Sequence, residues 1–122
     1  MKAGIYEFVK ETSNTEGTVA TITLTSIAGY ARFSDVAVAG SAVYYTILNG
    51  LNREVGLGVV QANNTLDRDT PLTTLEAGVY TDEAVSRISL IGESQVAITP
   101  SAETLHSLET DMSAKAIFLI GA

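Results

Sequence analysis

The sequence contains no cysteine, no tryptophan and a single histidine, His106. The lack of cysteine excludes disulfide bonds, thiolate nucleophiles and cysteine zinc sites, and one histidine cannot form a histidine-rich metal site. The longest apolar run, residues 116–120, is far shorter than the ~20 residues that a membrane-spanning helix requires. The first seven residues include an acid and no apolar segment. This predicts that the chain has no signal peptide, is made in the cytosol and has no membrane partner.

Basic residues are also scarce. The chain has 7 Lys and Arg against 14 Asp and Glu, which gives a net charge of −7. This balance predicts no nucleic-acid partner, because phosphate contacts need clustered basic side chains. Apolar residues make up 46% and charged residues 17% of the 122 positions. That composition supports one domain with a packed core and leaves little room for a second domain.

Residues that favour β-strands dominate what is present. Thr, Val and Ile contribute 35 of the 122 residues, and these side chains suit a pleated, half-buried surface. Alternation of apolar and polar residues recurs in residues 17–25, 41–49 and 53–61. In the third run the alternation predicts that Val55, Leu57 and Val59 share one face, with Val55 and Leu57 filling a core.

Turn signals separate these runs. Asn49-Gly50 lies between the second and third runs, and its tolerance of positive φ predicts a tight hairpin. Asn63-Asn64 follows the third run and precedes a short run, residues 65–69, while Gly92-Glu93 predicts a further hairpin between residues 86–91 and 95–99. Turns at such short spacing predict an all-β fold, either an antiparallel β-sandwich or a small β-barrel built from hairpins.

Helix is a minor component of this prediction. Residues 100–109 are a candidate helix near the C-terminus, because Pro100 suits a first turn and Ser101 can cap it. Residues 74–84 are polar and rich in turn formers, which favours a loop. The predicted organisation is a β-domain over residues 1–106 and a C-terminal extension used in assembly over residues 107–122.

The sequence contains no motif that supports catalysis or cofactor binding. His106 has no G-x-S-x-G elbow to accompany it, so we interpret it as a surface residue. A cluster of four oxygen-bearing side chains after the third run lacks the central Gly and distal Glu of a hand-type calcium loop, so turn formation is favoured over metal binding: Asn63, Asn64, Asp67 and Asp69. The prediction is a protein that is not an enzyme and that has no cofactor and no metal.

A series of short motifs carries a family resemblance. Residues 9–12 read V-K-E-T, residues 43–45 read V-Y-Y, residues 54–58 read E-V-G-L-G and residues 66–68 read L-D-R, with Gly17-Thr18, Gly29, Phe33 and Thr70 at intervening or flanking positions. In order and spacing this series resembles a family of small structural domains of tailed bacteriophages, found as short virion proteins and within tail-fibre chains. The resemblance covers roughly residues 7 to 75.

The sequence departs from this family in two places. Family members often carry a Ser-Ser-Asn segment soon after the L-x-R element, where this chain has residues 71–74, P-L-T-T. The last forty or so residues have no counterpart. The resemblance therefore implies a structural, non-catalytic protein located in the virion, and it leaves the position on the virion open.

Six residues are candidates for interfaces. Arg68 is one of few bases, and we expect it to pair with a carboxylate such as Glu54, within the domain in preference to across a subunit boundary. The run that ends the chain is apolar on both faces and needs cover on both sides, from a partner or from the first strand of the same chain: Ile117, Phe118, Leu119 and Ile120, after Ala116. From this run we expect a homo-oligomer, with a trimer as the guess from phage structural proteins, or ordering of the run by a virion neighbour.

Three functions remain as hypotheses. The first and leading one is a capsid decoration (cement) protein that binds the major capsid protein of the assembled shell. The second is a tail-associated or fibre-base connector. The third, from another class, is a carbohydrate-binding module with three aromatic platforms: Tyr30, Tyr44 and Tyr80.

Overall fold

A computed structural model describes residues 9–98 of the chain. Within that range eight strands and one short helix follow one another as β1 (Lys10–Ser13), β2 (Thr21–Thr23), β3 (Thr25–Ser26), α1 (Phe33–Val36), β4 (Ala42–Asn49), β5 (Asn52–Gln61), β6 (Thr65–Glu76), β7 (Val79–Thr81) and β8 (Ser94–Ile98). All strand pairs are antiparallel. The predicted all-β class is confirmed.

The strands form one sheet that nearly closes into a barrel, in the order β2-β6-β5-β4-β8-β1-β3, with β7 added to β6. The two ends of this order, β2 and β3, are consecutive in the chain and are separated by Leu24 alone. Residues 21–26 therefore pair with β6 through their first half and with β1 through their second half. This change of partner brings the sheet back to itself and leaves few unpaired edges.

The hairpin predicted at Asn49-Gly50 is confirmed. Asn49 pairs with Asn52, so Gly50 and Leu51 form a two-residue connection, and Gly50 has a φ of +61°. Positive φ at the first turn residue alone matches a type II′ turn, whose twist suits the flanking strands. The next connection also follows prediction, because Asn63 and Asn64 have φ values of 64° and 55° between β5 and β6.

Two local predictions are wrong. Residues 74–84, predicted as a loop, hold the end of β6 and all of β7, joined by a tight turn at Ala77 and Gly78 with positive φ at both residues. Their polarity reflects an exposed edge strand, not an absence of structure. Gly92-Glu93 does not form a hairpin, because residues 86–91 contribute only a single bridge, between Leu90 and Gly17, and β8 inserts between β4 and β1.

The face assigned to β5 is also wrong. Val55, Leu57 and Val59 are half-buried on the outer face, and the inner face carries Glu54, Gly56, Gly58 and Val60. The physical reason is Tyr45 on the neighbouring strand. A Cβ at Gly56 would lie 2.6 Å from the Tyr45 hydroxyl, so the ring occupies the space that side chains on β5 would otherwise fill.

The core lies inside the barrel, with the prediction for β4 confirmed: Val43, Tyr45 and Ile47 point inward while Tyr44 is half-buried on the other face. The remaining core residues come from nearly every element and the loops between them: Val9, Ile22, Leu24, Phe33, Val60, Leu66, Ile88, Leu90, Val96 and Ile98. Helix α1 places Phe33 in this core, and the Asp35 carboxylate accepts a hydrogen bond from the Arg32 backbone N–H at 2.8 Å. The candidate helix at residues 100–109 and the extension at 107–122 lie outside the described residues.

Candidate functional site

The most unusual arrangement in the described chain is an ion pair at the centre of the barrel. Glu54 on β5 and Arg68 on β6 both have 0% exposure, and Arg68 Nη1 lies 3.1 Å from Glu54 Oε1. Tyr45 on β4, also fully buried, donates its hydroxyl to Glu54 Oε2 at 2.5 Å. We refer to Tyr45, Glu54 and Arg68 as the Glu54 cluster.

Every polar N–H of Arg68 in the cluster has an acceptor. Nη1 donates to Glu54 and to the carbonyl of Ile88, Nη2 donates to the carbonyls of Gly17 and Val19, and Nε donates to the same Val19 carbonyl. The guanidinium has five donors and makes five hydrogen bonds, so its fixed fork is fully used. Through these bonds a single side chain joins β6 to the loop before β2 and to the segment that precedes β8.

The carboxylate of Glu54 is also fully supplied with hydrogen-bond donors. It accepts hydrogen bonds from Tyr45, from Arg68 and from the backbone N–H of Ile88 at 2.8 Å. Desolvation, followed by the hydrogen bond to Glu54 and the nearby negative charge, raises the pKa of Tyr45 well above its usual value. The phenol therefore remains a donor throughout the range in which proteins are normally studied.

A second buried carboxylate fixes the other side of the barrel. Glu11 on β1 is 1% exposed, and its Oε1 lies 2.8 Å from Arg32 Nε, while its Oε2 accepts from the Phe33 backbone N–H at 2.9 Å. This carboxylate therefore holds the start of α1 against β1. In residues 9–98 no buried side-chain polar atom lacks a hydrogen-bond partner.

The chemical capacity of these two sites is limited by access. None of the three side chains of the Glu54 cluster has exposed surface, so none can meet a substrate in this conformation. Glu54 and Arg68, two of the predicted interface candidates, thus pair within one chain, as the sequence favoured. We assign the cluster a structural role, because its groups are saturated by bonds within the domain.

Motifs that carry the family resemblance converge on these two sites. The V-Y-Y, E-V-G-x-G and L-x-R motifs supply Tyr45, Glu54 and Arg68, and Gly56 admits the Tyr45 ring. The V-K-E-T motif supplies Glu11, and Gly17 supplies a carbonyl to Arg68. Residues far apart in sequence therefore specify one interior.

Exposed apolar side chains gather at one end of the barrel. Four large apolar residues are exposed there: Leu51 (88%), Ile91 (75%), Tyr80 (65%) and Val79 (63%). We call these four the end patch. Leu51 lies in the turn between β4 and β5, and Val79 and Tyr80 begin β7 just after the neighbouring turn.

Hydrogen bonds between the loops hold the end patch together. Asn49 donates to the Ile91 carbonyl at 3.0 Å and accepts from the Ile91 N–H at 3.1 Å, which ties Ile91 to the base of the Leu51 turn. The Ala77 N–H donates to Asn52 Oδ1 at 3.0 Å, which ties the β6–β7 turn to the same place. Sequence reasoning missed this patch, since its members are isolated apolar residues at turns and gave no periodic signal.

The three candidate aromatic platforms occupy different elements. Tyr30 lies in the loop before α1 with the Lys10 ammonium 5.1 Å from its ring centroid, Tyr44 is half-buried on the outer face of β4, and Tyr80 is on β7. Two open clefts, of about 400 and 230 Å³, lie near Ser86, and none of these three tyrosines lines either one. Neither of these two clefts therefore brings the three tyrosine rings together.

The cluster of oxygen-bearing side chains predicted after β5 forms local hydrogen bonds and a turn. Asp67 accepts hydrogen bonds from Thr21 and Gln61, and Asn63 and Asn64 form the turn. Among residues 9–98 no group of three His, Asp or Glu side chains is placed to hold a metal ion. His106 and the candidates Ile117, Phe118, Leu119 and Ile120 lie outside the described residues.

Comparisons with known proteins identified no relative of this chain. No protein-family model, curated protein or solved structure matches the chain significantly. Over the described range, no helix has both the length and the apolar character needed to cross a bilayer.

Proposed function

We propose that this protein is a structural component of a bacteriophage virion, and that it acts as a capsid decoration protein through binding alone. The observation that carries the proposal is the end patch, where four large apolar side chains protrude from tied loops. Several large exposed apolar side chains near the loops at one end of a small domain are typical of a protein-binding site. The resemblance in residues 7 to 75 supplies the virion context.

The charge around the end patch suggests the chemistry of the partner. Glu76 ends β6 beside Val79, Glu93 follows Ile91, and Glu16 accepts a hydrogen bond from the Gly92 N–H between them. The whole chain carries a net charge of −7. A partner surface with an apolar depression bordered by Lys and Arg would complement this rim, and salt would slow association with it.

A decoration protein stabilises the shell through linkage. Binding to the assembled shell, and not to free subunits, lowers the free energy of the assembled state by mass action. The partner in this proposal is the major capsid protein, and the location is the virion. Self-association, with a trimer as the predicted state, stays a prediction that the mass of the purified protein in solution tests.

The test compares binding of the purified protein to empty shells, to isolated tails and to host polysaccharide. We expect saturable binding to shells, a loss of at least about tenfold in affinity for Leu51→Ser and Tyr80→Ser, and no loss for Val38→Ser. Val38 is the matched control, since it is 78% exposed but adjoins the opposite end of the barrel.

Each other outcome replaces the proposal with a defined alternative. Binding to tails alone assigns the protein to the tail or the fibre base, the second hypothesis. Binding to polysaccharide alone, sensitive to Tyr80→Ser, assigns it to the carbohydrate-binding class. Shell binding that Leu51→Ser and Tyr80→Ser leave unchanged removes the end patch from the interface.

A further inference from the structure

The outer face of β5 carries aliphatic side chains that the core does not use. Val55, Leu57 and Val59 alternate along the outward side of the strand, and none belongs to the buried cluster or to the residues packed against it. In the described range the extensive contacts of β5 are with its sheet neighbours β4 and β6. We call these three residues the β5 stripe.

Neighbouring strands extend the apolar character of the β5 stripe on one side. Tyr44 on β4 lies opposite Leu57, and its ring is half-buried on the same outer face. On the other side, Thr73 lies opposite Val55 and Thr70 opposite Leu57, so the stripe has a polar border. An outward stripe of this kind in the middle of a sheet is typical of a face that receives another layer.

The chain supplies an apolar segment of matching size. Residues 116–120, Ala-Ile-Phe-Leu-Ile, have apolar side chains at five successive positions. Left in water, such a run promotes aggregation, and the half-buried side chains of the β5 stripe keep part of their apolar surface exposed. Packing of the run against the stripe would therefore remove apolar surface of both from water.

The distance along the chain permits the two to meet within one molecule. Ile98 ends β8, which is separated from β5 by β4 alone, so the stripe lies about 10 Å away across two strand spacings. Residues 99–115 then supply a link of 17 residues, and a chain of that length reaches at most about 55 Å, well beyond the distance to the stripe. A link of this length gives an effective concentration near the millimolar range, far above that of a second copy at micromolar protein.

We propose that residues 116–120 pack onto the β5 stripe of the same chain. The segment that the sequence assigns to assembly then completes the domain by covering an outer face, and the end patch remains available for the proposed function. This inference goes beyond that function and does not depend on a virion partner.

The absence of cysteine makes a direct test possible. The double variant Leu57→Cys and Phe118→Cys places thiols on the stripe and on the run, and we expect oxidation to give a disulfide within the monomer. Ser26→Cys with Phe118→Cys is the control, because Ser26 is exposed on β3, which lies two strands from β8, as β5 does, but on the other side of β8. Equal cross-linking at both positions would overturn the proposal, and so would disulfides that join two chains.

Hydrogen exchange tests the same contact without a cross-link. We expect the amides of residues 116–120 to exchange at least about tenfold more slowly than in an unstructured peptide, and this protection to disappear in Leu57→Asp but not in Ser26→Asp. Unprotected amides in the unmodified chain would overturn the proposal. Deletion of residues 113–122 would uncover the stripe, so we expect the shortened chain to self-associate more than the full chain.

Discussion

Single residues inside the barrel determine how its strands align. Arg68 makes five side-chain hydrogen bonds to four acceptors, and all four acceptors lie outside β6. A shift of one residue in β6 would turn Arg68 outward and leave Glu54 buried without its cation. The pair therefore disfavours other registers strongly, whatever its net contribution to stability.

Loss of the cation alone is expected to be costly. Arg68→Met leaves the buried Glu54 carboxyl without its cation and removes donors from the carbonyls of Gly17, Val19 and Ile88. We expect the free energy of unfolding to fall by about 3–5 kcal/mol. Chemical denaturation measures this change.

Arg53→Met is the matched control for that variant. Arg53 is half-buried at the start of β5, and within residues 9–98 its side chain donates only to the carbonyls of Gly50 and Asn52 at the exposed turn. We expect a change of about 0.5 kcal/mol or less. Equal losses for the two arginines would contradict the special role of Arg68.

Tyr45 predicts a loss of stability at alkaline pH. Its pKa is raised in the folded state, so above pH 10 the unfolded chain releases a proton that the folded chain retains. This contribution to stability is complete below pH 10 and falls by up to about 1.4 kcal/mol per pH unit above it. Tyr45→Phe should be less stable at pH 7 by about 1–2 kcal/mol and should show a flatter decline above pH 10. Parallel pH profiles for the two proteins would refute the assignment.

At the scale of elements, two hairpin turns differ in how well their residues suit them. Gly50 has a φ of +61° in the β4–β5 turn, a conformation that a β-branched residue adopts only with strain. Gly50→Val should lower the free energy of unfolding by about 1 kcal/mol or more, seen as a lower melting temperature. Leu51→Val, at the next position and without a positive φ, should change it by about 0.5 kcal/mol or less.

In the β6–β7 turn, a substitution is expected to raise stability instead of lowering it. Ala77 has a φ of 52° and Gly78 a φ of 80°, so both turn residues are left-handed, the pattern that Asn-Gly favours. Ala77→Asn should raise the free energy of unfolding by about 0.5–1 kcal/mol, since Asn tolerates this region better than Ala does. A lower melting temperature for Ala77→Asn would contradict this account of the turn.

For the whole molecule, closure of the barrel joins distant parts of the chain. Lys10 on β1 pairs with Ala97 on β8, and β8 lies between β1 and β4. Contacts of such large sequence separation close only after a large loss of chain entropy, so we expect refolding in milliseconds to seconds. The local β4–β5 hairpin should form before β8 inserts.

Two core variants test this order of events. Val96→Ala in β8 should mainly accelerate unfolding, whereas Ile47→Val in β4 should slow folding, because only the hairpin is formed in the transition state. Stopped-flow folding and unfolding rates of both variants provide the measurement. A larger effect of Val96→Ala on the folding rate would place barrel closure before the hairpin.

Several strand-forming segments and their turns could be predicted from the order of the residues. Alternation located β4 and β5, Asn49-Gly50 located their turn, and the scarcity of bases led to the pairing of Arg68 with Glu54. These features are local, or follow from the cost of burying an unpaired charge, so they can be read without knowledge of the fold.

The inward face of β5 and the side chains of the end patch depend instead on how the strands and loops pack together. Alternation gives two faces but not their direction, and the Tyr45 ring, lying across Gly56 and Gly58, turned the polar and glycine face inward. Leu51 and Ile91 lie forty residues apart in the chain, and the hydrogen bonds between Asn49 and the Ile91 backbone join the two loops that carry them. Such contacts depend on where strands are placed in space, and spacing along the chain does not encode that placement.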